Sequence, residues 1–420
     1  MGMIKRVLAV GIFVIGMVSV GDLAFAQTLG AGEGVMDRAR PEYDAKGLPL
    51  GSFRLFPAFT FDLGNDDNVL RQQTAANVVN SLFYQESGAA VLRSNWGRNE
   101  FDLFGGVDLN QYSNLSSEDN TNWNVGANGR LDIERGSALS VGTVYSLNHE
   151  PRNSPNQSGF AAKPTQFTDF DTTAALSYHP YHFGFEVGGN YDRKVYDPTQ
   201  VIAPGTPIDN TDRNEDVYNF YGKSTYEFSP GYAAFFKINY NNRVYDLQLD
   251  RNHLNRASNG FEYTSGLDLM LSHLVRGELF VGYIDQKFNA PLHNVAGFDF
   301  GANLDWYATE LLTIHLTASR TLNDTTLAST STLDARQGAV SFDWEVLPNV
   351  IVQGNFGYTD IKFPGITRTD QITDASIGAK YLLNRYVSAD VKYKFEDRAT
   401  NAAGQKYTDN LVTVGLTLHL

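Results

Sequence analysis

Residues 386–396 read YVSADVKYKFE, and every second side chain after the first is apolar while those between are polar or charged. Strict alternation predicts a β-strand with one apolar face and one polar face. In a soluble protein the apolar face would pack into a core. In a membrane barrel the same face would contact lipid, and Asp390, Lys392, Lys394 and Glu396 would line a water-filled lumen. The rest of the sequence decides between these two structures.

The amino terminus indicates export. Lys5 and Arg6 precede the apolar run VLAVGIFVIGMVSV, and Ala24-Phe25-Ala26 follows it. A positive region, an apolar region and a small-x-small site together predict a secretory signal peptide, here residues 1–26, cleaved after Ala26. A retained anchor is the alternative, but the run is shorter than the roughly 20 apolar residues that span a bilayer.

The composition narrows the class of protein. The 420 residues include no cysteine, so an exported chain must gain stability from a large core or from lipid rather than from disulfides. A formal charge of −14 argues against nucleic acid as a partner, because phosphate contacts need clustered Lys and Arg. Tyr (22), Phe (27) and Gly (38) are abundant and Pro (14) is not, which favours an all-β protein.

Alternating segments continue almost to the last residue, and their connections are of two kinds that follow each other in strict order. The short turns are predicted at 95–97, 134–136, 179–181, 229–231, 275–277, 309–310, 347–349 and 384–385. The longer polar links are predicted at 64–73, 114–120, 151–164, 197–212, 250–257, 289–294, 323–329, 364–369 and 399–405. Short turns at one edge and longer loops at the other are typical of outer-membrane barrels.

These features predict an all-β transmembrane antiparallel up-and-down barrel of about 18 strands over residues 51–420, after a short periplasmic segment, 27–50. Both ends of the barrel would then lie on the periplasmic side, with the loops outside. A β-propeller would pack four short strands into each repeat of about 40 residues, and a sandwich would not sort its loops into two classes. Two segments, 83–93 and 278–284, show no clear assignment of faces.

The polar faces predict the residues that line the lumen. Mixed charges there indicate either a ladder of salt bridges that stiffens the wall or a polar track with aromatic steps, such as Phe104, Phe235 and two tyrosines, on which sugar rings slide. The predicted lumen-lining residues are Asp102, Asp108, Arg130, Asp132, Glu186, Tyr221, Lys223, Lys237, Arg243, Asp299, Asp305, Tyr307, Asp343, Lys380, Asp390, Lys392 and Lys394.

No catalytic motif is present. The sequence lacks HExxH, GxSxG and the P-loop, so we predict no enzyme, no catalytic residues and no cofactor. His315 has no evident Ser-plus-carboxylate arrangement and is interpreted as an isolated strand histidine. Acidic residues at 66–67 and 209–216 lack the ligand spacing of a calcium loop, so we predict solvated loop acids and no metal site.

One stretch resembles a known family. Arg40-Pro41-Glu42-Tyr43-Asp44 leads through Gly47 into Gly51-Ser52-Phe53, and the run DDNV follows at 66–69. This pattern is similar to the amino-terminal signature of the family called putative β-barrel porin 2. The resemblance implies a Gram-negative outer-membrane location and an association with exopolysaccharide or capsule export. It implies no functional residue that could be carried over.

Three functions therefore remain open on the sequence. The first is a barrel that passes an exported polysaccharide across the outer membrane, with periplasmic export proteins as partners. The second is a general diffusion porin for small solutes, and the third is a structural barrel whose loops, 151–164 or 197–212, plug the lumen. Each would have outer-membrane lipid and lipopolysaccharide as its surroundings.

Overall fold

Eighteen antiparallel strands and one short extra strand make up the protein in a computed structural model, which describes residues 34–73, 77–157, 161–202, 205–271 and 274–420. The predicted signal peptide lies outside the described residues. The strands are β1 Leu48–Leu50, β2 Phe53–Asp66, β3 Ser81–Ser94, β4 Glu100–Tyr112, β5 Asn120–Glu134, β6 Ser137–His149, β7 Gln166–Tyr178, β8 Phe183–Tyr196, β9 Glu215–Ser229, β10 Tyr232–Tyr245, β11 Ser258–Leu271, β12 Val275–Phe288, β13 Val295–Thr309, β14 Leu312–Asn323, β15 Leu333–Leu347, β16 Val350–Lys362, β17 Thr369–Asn384, β18 Val387–Thr400 and β19 Tyr407–His419.

The sheet closes on itself. Each strand from β2 onward pairs antiparallel with the next, and β19 returns to pair with β2 from Leu411 opposite Asp66 to His419 opposite Ala58. β1 adds three residues beside the start of β2. Closure gives every strand two neighbours, which a membrane requires because lipid offers no partner to backbone N–H and C=O groups. The prediction of an 18-stranded up-and-down barrel is confirmed.

The apolar face of the strand YVSADVKYKFE points out of the barrel, toward lipid. Val391 and Tyr393 are 48% and 41% exposed on the outer face of β18, whereas Ser388 and Glu396 on the other face are almost completely buried inside the barrel. The same arrangement recurs on β19, where Val414 and Leu416 point outward. Apolar side chains therefore cover the outside of the wall, as in proteins whose solvent is the bilayer.

Two classes of connection lie at the two edges of the barrel, periplasmic turns at one and longer extracellular loops at the other. Two residues join β5 to β6, and Gly136 in this turn has φ +84°. A Cβ there would also lie 2.7 Å from the carbonyl oxygen of His179, so both conformation and space require glycine.

The turn predicted at 275–277 is wrong, because these residues already belong to β12. Among the described residues, no helix is long and apolar enough to cross a membrane.

Candidate functional site: the lumen and its two ends

The strand register decides which side chains face the lumen. Asp390 lies opposite Gly415, which lies opposite Asp62, and this row alternates with the exposed row of Val391, Val414 and Leu63. Extending the alternation around the barrel places all the predicted lumen residues on the inner face: Asp102, Asp108, Arg130, Asp132, Glu186, Tyr221, Lys223, Lys237, Arg243, Asp299, Asp305, Tyr307, Asp343, Lys380, Asp390, Lys392 and Lys394. Their part in transport remains a prediction.

Part of the inner wall is a ladder of ion pairs. Arg130 lies 3.0 Å from Asp132, and Arg243 lies 3.2 Å from the fully buried Glu215. Lys223 contacts Glu278 across the lumen side of β9 to β12. The Arg243–Glu215 and Lys223–Glu278 pairs join different strands and so stiffen the wall, whereas Arg130 and Asp132 both lie on β5. All three pairs neutralise part of the charge of the wall.

Two lysines cover the aromatic rings that were predicted as sugar steps. Lys223 and Lys237 are direct cross-strand partners, and like charges in that position repel. Lys223 Nζ lies 4.0 Å from the ring centre of Phe235, and Lys237 Nζ lies 5.0 Å from that of Tyr221. Cation–π contacts thus separate the two charges. Phe235 is only 3% exposed, so it presents no free face to a sugar, and that part of the aromatic track is wrong.

His315 is held between two carboxylates. Its Nδ1 lies 2.6 Å from Asp305 Oδ1 and its Nε2 lies 3.0 Å from Asp343 Oδ2. The three residues sit on β13, β14 and β15, so the imidazole braces three adjacent strands. The interpretation of His315 as an isolated histidine is wrong. With both nitrogens engaged by acids, the ring is placed to bridge rather than to activate a nucleophile.

The extracellular mouth is crossed by the loop between β6 and β7. In this loop Asn153 donates from Nδ2 to Glu396 Oε1 at 2.9 Å, and its carbonyl accepts from Arg398 at 3.1 Å. Both partners point inward from β18, which lies several strands from β6 and β7 in either direction around the barrel. Farther along, Asn156 Oδ1 accepts from the backbone of Thr326 at 3.0 Å in the loop between β14 and β15. We call residues 150–157, together with the loops they contact, the roof.

Buried ion pairs join the roof loops to one another. Arg213 donates to both oxygens of Glu150 at 3.0 and 2.8 Å, and each side chain is about 5% exposed or less. Arg152 binds Glu118 in the same two-pronged way at 2.8 and 2.6 Å. Arginine forms such paired bonds to carboxylates with high geometric specificity. These two pairs therefore fasten three loops together above the lumen, those between β4 and β5, β6 and β7, and β8 and β9.

Acidic residues in the longer loops are likewise paired. Arg251 binds Asp212 at 2.6 Å, and although burial raises the pKa of Asp212, the hydrogen bonds from Arg251 outweigh it and hold that pKa below its usual value. Hydrogen bonds from Arg193 also lower the pKa of Asp246. The prediction that Asp212 is a solvated loop acid is wrong, because Arg251 and the neighbouring loop enclose it.

An apolar cluster backs the roof from within. Leu333 and Ile361 are inward-facing and 3% or less exposed, Phe363 is 1% exposed, and Leu327 from the loop between β14 and β15 packs against them. Apolar side chains on the inner face of a water-filled lumen would be unfavourable, so their burial holds this loop down. The extracellular end has its own small core.

The periplasmic end is covered by the segment that carries RPEYD. Val35 is completely buried, and its N–H donates to Thr313 Oγ1 at 2.9 Å. Arg38 and Arg40 both reach Glu345, at 3.4 and 2.7 Å. Thr313 and Glu345 face inward from β14 and β15, so residues 34–47 run from that wall to β1, beside β2.

The run DDNV fastens the seam where the barrel closes. Asp67 accepts hydrogen bonds from the backbone and side chain of Asn410 at 2.7 Å, and Asn68 Nδ2 donates to the carbonyl of Thr408 at 2.9 Å. Asp66 and Asp409 bring their carboxylates close to Asp67, and Arg71 bridges Asp66 and Asp409 at 3.2 and 2.9 Å. The motif therefore joins the last strand to the first, with Arg71 supplying the positive charge.

Sequence reasoning missed the roof pairs and the Glu345 contacts. Asn153 and Glu396 are separated by 243 positions, so no local pattern connects them. The available signal was the length of the loop at 151–164, which did raise the possibility that it folds inward.

The family model for putative β-barrel porin 2 matches residues 40–420. The chain belongs to this family. Its members are porin-like channels of the Gram-negative outer membrane, and both the family and the fold are those of channels rather than enzymes. No curated protein matches the chain by sequence.

Three solved structures are similar to this chain at low sequence identity. Pseudomonas aeruginosa OccK9 (OpdG) is 11% identical over 88% of this chain and 98% of its own, with a TM-score of 0.46. P. aeruginosa OccK2 (OpdF), solved in complex with glucuronate, is 12% identical over 87% and 98%, with a TM-score of 0.45. Acinetobacter baumannii OccAB4 is 11% identical over 87% and 98%, with a TM-score of 0.44.

Proposed function

We propose that this porin is a gated exit channel through which an exported polysaccharide crosses the outer membrane. The observation that carries the proposal is the contact of Asn153 with Glu396 and Arg398, which takes a loop across the extracellular mouth. A channel for occasional passage of a polymer needs a wide lumen that does not leak at rest. The roof supplies the closure, and 18 strands supply the width.

The wall beneath the roof supports passage of a hydrophilic chain. Charged and amide side chains face inward on nearly every strand, so they replace bulk water around a polar polymer by hydrogen bonding. Transport at this step is passive, and periplasmic export proteins give it direction. The segment at 34–47 lies where the polymer would enter, so contact with such a partner would displace it.

A general diffusion porin for small solutes is the second candidate. The same charged wall supports it equally, and only the state of the roof at rest separates the two. In a planar bilayer an exit channel with a closed roof passes little current, and the double variant Asn153→Ala/Asn156→Ala, which removes side-chain contacts without changing charge, passes more. Full conductance of the wild-type chain would favour the diffusion porin.

The cellular test uses deletion of the gene. We expect the deletion strain to lose polysaccharide from the cell surface and to retain it in the periplasm, and the wild-type gene to restore export. Unchanged surface polysaccharide in the deletion strain would contradict the proposal. Absence of current from both the wild type and the double variant would instead favour a structural barrel plugged by its loops.

A further inference from the structure

Several inward-facing carboxylates are held by neutral partners. Ser87 donates to Asp108 at 2.5 Å, Tyr221 donates to Glu186 at 2.8 Å, and Asn355 donates to Asp374 at 2.7 Å. Asn190 and Asn239 hold Asp171 and Glu262 in the same manner. A hydroxyl or amide fixes the position of a carboxylate but leaves its negative charge in place.

Cations do not cancel these charges at close range. Among the described residues, ion pairs within 4.0 Å include none of the five carboxylates Asp108, Asp171, Glu186, Glu262 and Asp374.

Several inward-facing cations are already engaged by other acids. Arg130 pairs with Asp132, Lys194 with Asp192, and Lys394 with Glu396. The negative charge that remains is therefore spread around the wall, on β4, β7, β8, β11 and β17.

Two further carboxylates converge at the closing seam. Asp390 and Asp62 are both register partners of Gly415, on either side of it. A Cβ at Gly415 would collide with an oxygen of each, so the glycine leaves room for both groups on the lumen side. Lys380 is the cross-strand partner of Asp390 and Lys392 lies two positions farther along β18, so both lysines offset part of the negative charge near Asp390.

We propose that the lumen favours cations and uncharged solutes over anions. An excess of fixed negative charge on a low-dielectric wall concentrates cations in the lumen and excludes anions from it. Resting on the proposed exit function, this inference sets the class of cargo: a neutral or amine-bearing polysaccharide rather than one rich in uronic acid, sulfate or phosphate.

The test is the reversal potential of the purified full-length chain in a planar bilayer under a KCl gradient, measured on Asn153→Ala/Asn156→Ala so that current flows. We expect a potassium-to-chloride permeability ratio above one. The ratio should approach one in 1 M salt, where the Debye length is only about 3 Å.

Isosteric neutralisation identifies the source of selectivity. Asp171→Asn, Glu186→Gln and Asp374→Asn, combined in that background, should lower the permeability ratio toward one, while Lys380→Gln with Lys392→Gln should raise it. The matched control is Asp285→Asn, because Asp285 lies on the outer face of β12, paired with Lys287 at 2.8 Å. That control should leave the ratio unchanged.

The outcomes separate the two proposals. A ratio at or below one, or a ratio that the triple variant leaves unchanged, overturns the inference on cargo while leaving the channel in place. Absence of current in the double-variant background overturns the exit function itself, and the inference with it.

Discussion

The two ends of the lumen are bridged in different ways. At the extracellular end, loops from several strands interlock through buried pairs such as Arg213–Glu150, above a small apolar cluster. At the periplasmic end a single segment, residues 34–47, is attached to β14 and β15 through Thr313 and Glu345, and to β2 through Arg54, which donates to the carbonyl of Lys46. The extracellular end is bridged by a network of loops. The periplasmic end is bridged by the single segment 34–47, which we call the strap.

The difference predicts different responses to damage. In a network of buried charges, removal of one partner leaves another charge uncompensated in a site of low polarity. In the strap, each contact adds separately, and Arg38 is 30% exposed, so water replaces part of what is lost. The extracellular end should therefore fail as a unit, and the periplasmic end should loosen by degrees.

The largest effect is expected from Arg213→Ala. Glu150 would be left buried without its cation, which costs about 3–5 kcal/mol in comparable pairs. The roof should open locally, seen as faster protease cleavage of the extracellular loops and increased bilayer conductance.

Arg336→Ala is the matched control for that variant. Arg336 lies on the outer face of β15, is 39% exposed, and pairs with Asp334 at 3.2 Å. Although Asp334 is buried, it keeps its bonds to Arg320 at 2.8 and 3.1 Å, so no carboxylate is left without a cation. Loop cleavage and conductance should therefore stay near wild type. Equal effects of the two substitutions would show that burial of the Arg213 pair is unimportant.

A smaller effect is expected from Glu345→Ala at the other end. Hydrogen bonds to a charged group contribute about 1.5–3 kcal/mol, and the loss should release Arg38 and Arg40 from the wall. Trypsin should then cut after Arg38 more rapidly, with the roof unaffected.

Glu310→Ala tests whether that release is specific. Arg38 bonds to the backbone carbonyl of Glu310, which the substitution retains. Cleavage after Arg38 should therefore match wild type. If both variants are cut at the wild-type rate, the strap is not held by Glu345.

The smallest expected effect is a loss of loop stability at acidic pH. The pKa values of Asp212 and Asp246 are lower in the folded loops than the value of about 3.9 in an unfolded chain. Their contribution to loop stability is thus complete above about pH 4 and is lost as pH falls below it. Amide hydrogen exchange of the loops, corrected for intrinsic rates, should accelerate as the pH falls below about 4.

The double variant Asp212→Asn/Asp246→Asn is the control for the acid effect. Asparagine does not titrate, so this part of the pH dependence should disappear. A variant that keeps the wild-type dependence would assign the effect to other carboxylates.

Much of the fold could be predicted because alternation and loop length are local properties. The two faces of β18 and β19 could be predicted, since their outward residues are apolar and their inward residues are polar. The strand β3 was not, because its inward face includes buried Phe83 and Val91 while Glu86 lies on the outer face opposite Phe61. Where the inner wall contacts the roof or the closing strands, some inward-facing residues are apolar. The alternation of apolar and polar residues is then no longer visible in the sequence.

The candidate site was predicted only as far as single strands determine it. Inward-facing residues follow from the register, so the wall could be predicted. The partners of Asn153, Arg213 and Glu345 lie far away in sequence and meet only after closure of the barrel. Which charges are cancelled, and which loops interlock, therefore required the structure.

The most direct test of a closed roof is a reversible cross-link. The chain has no cysteine, so Asn153→Cys/Glu396→Cys can be joined by a short bis-methanethiosulfonate linker that a reductant removes. We predict that the linked channel passes almost no current in a planar bilayer and that reduction opens it. Equal conductance before and after reduction would show that the loop at Asn153 does not close the lumen.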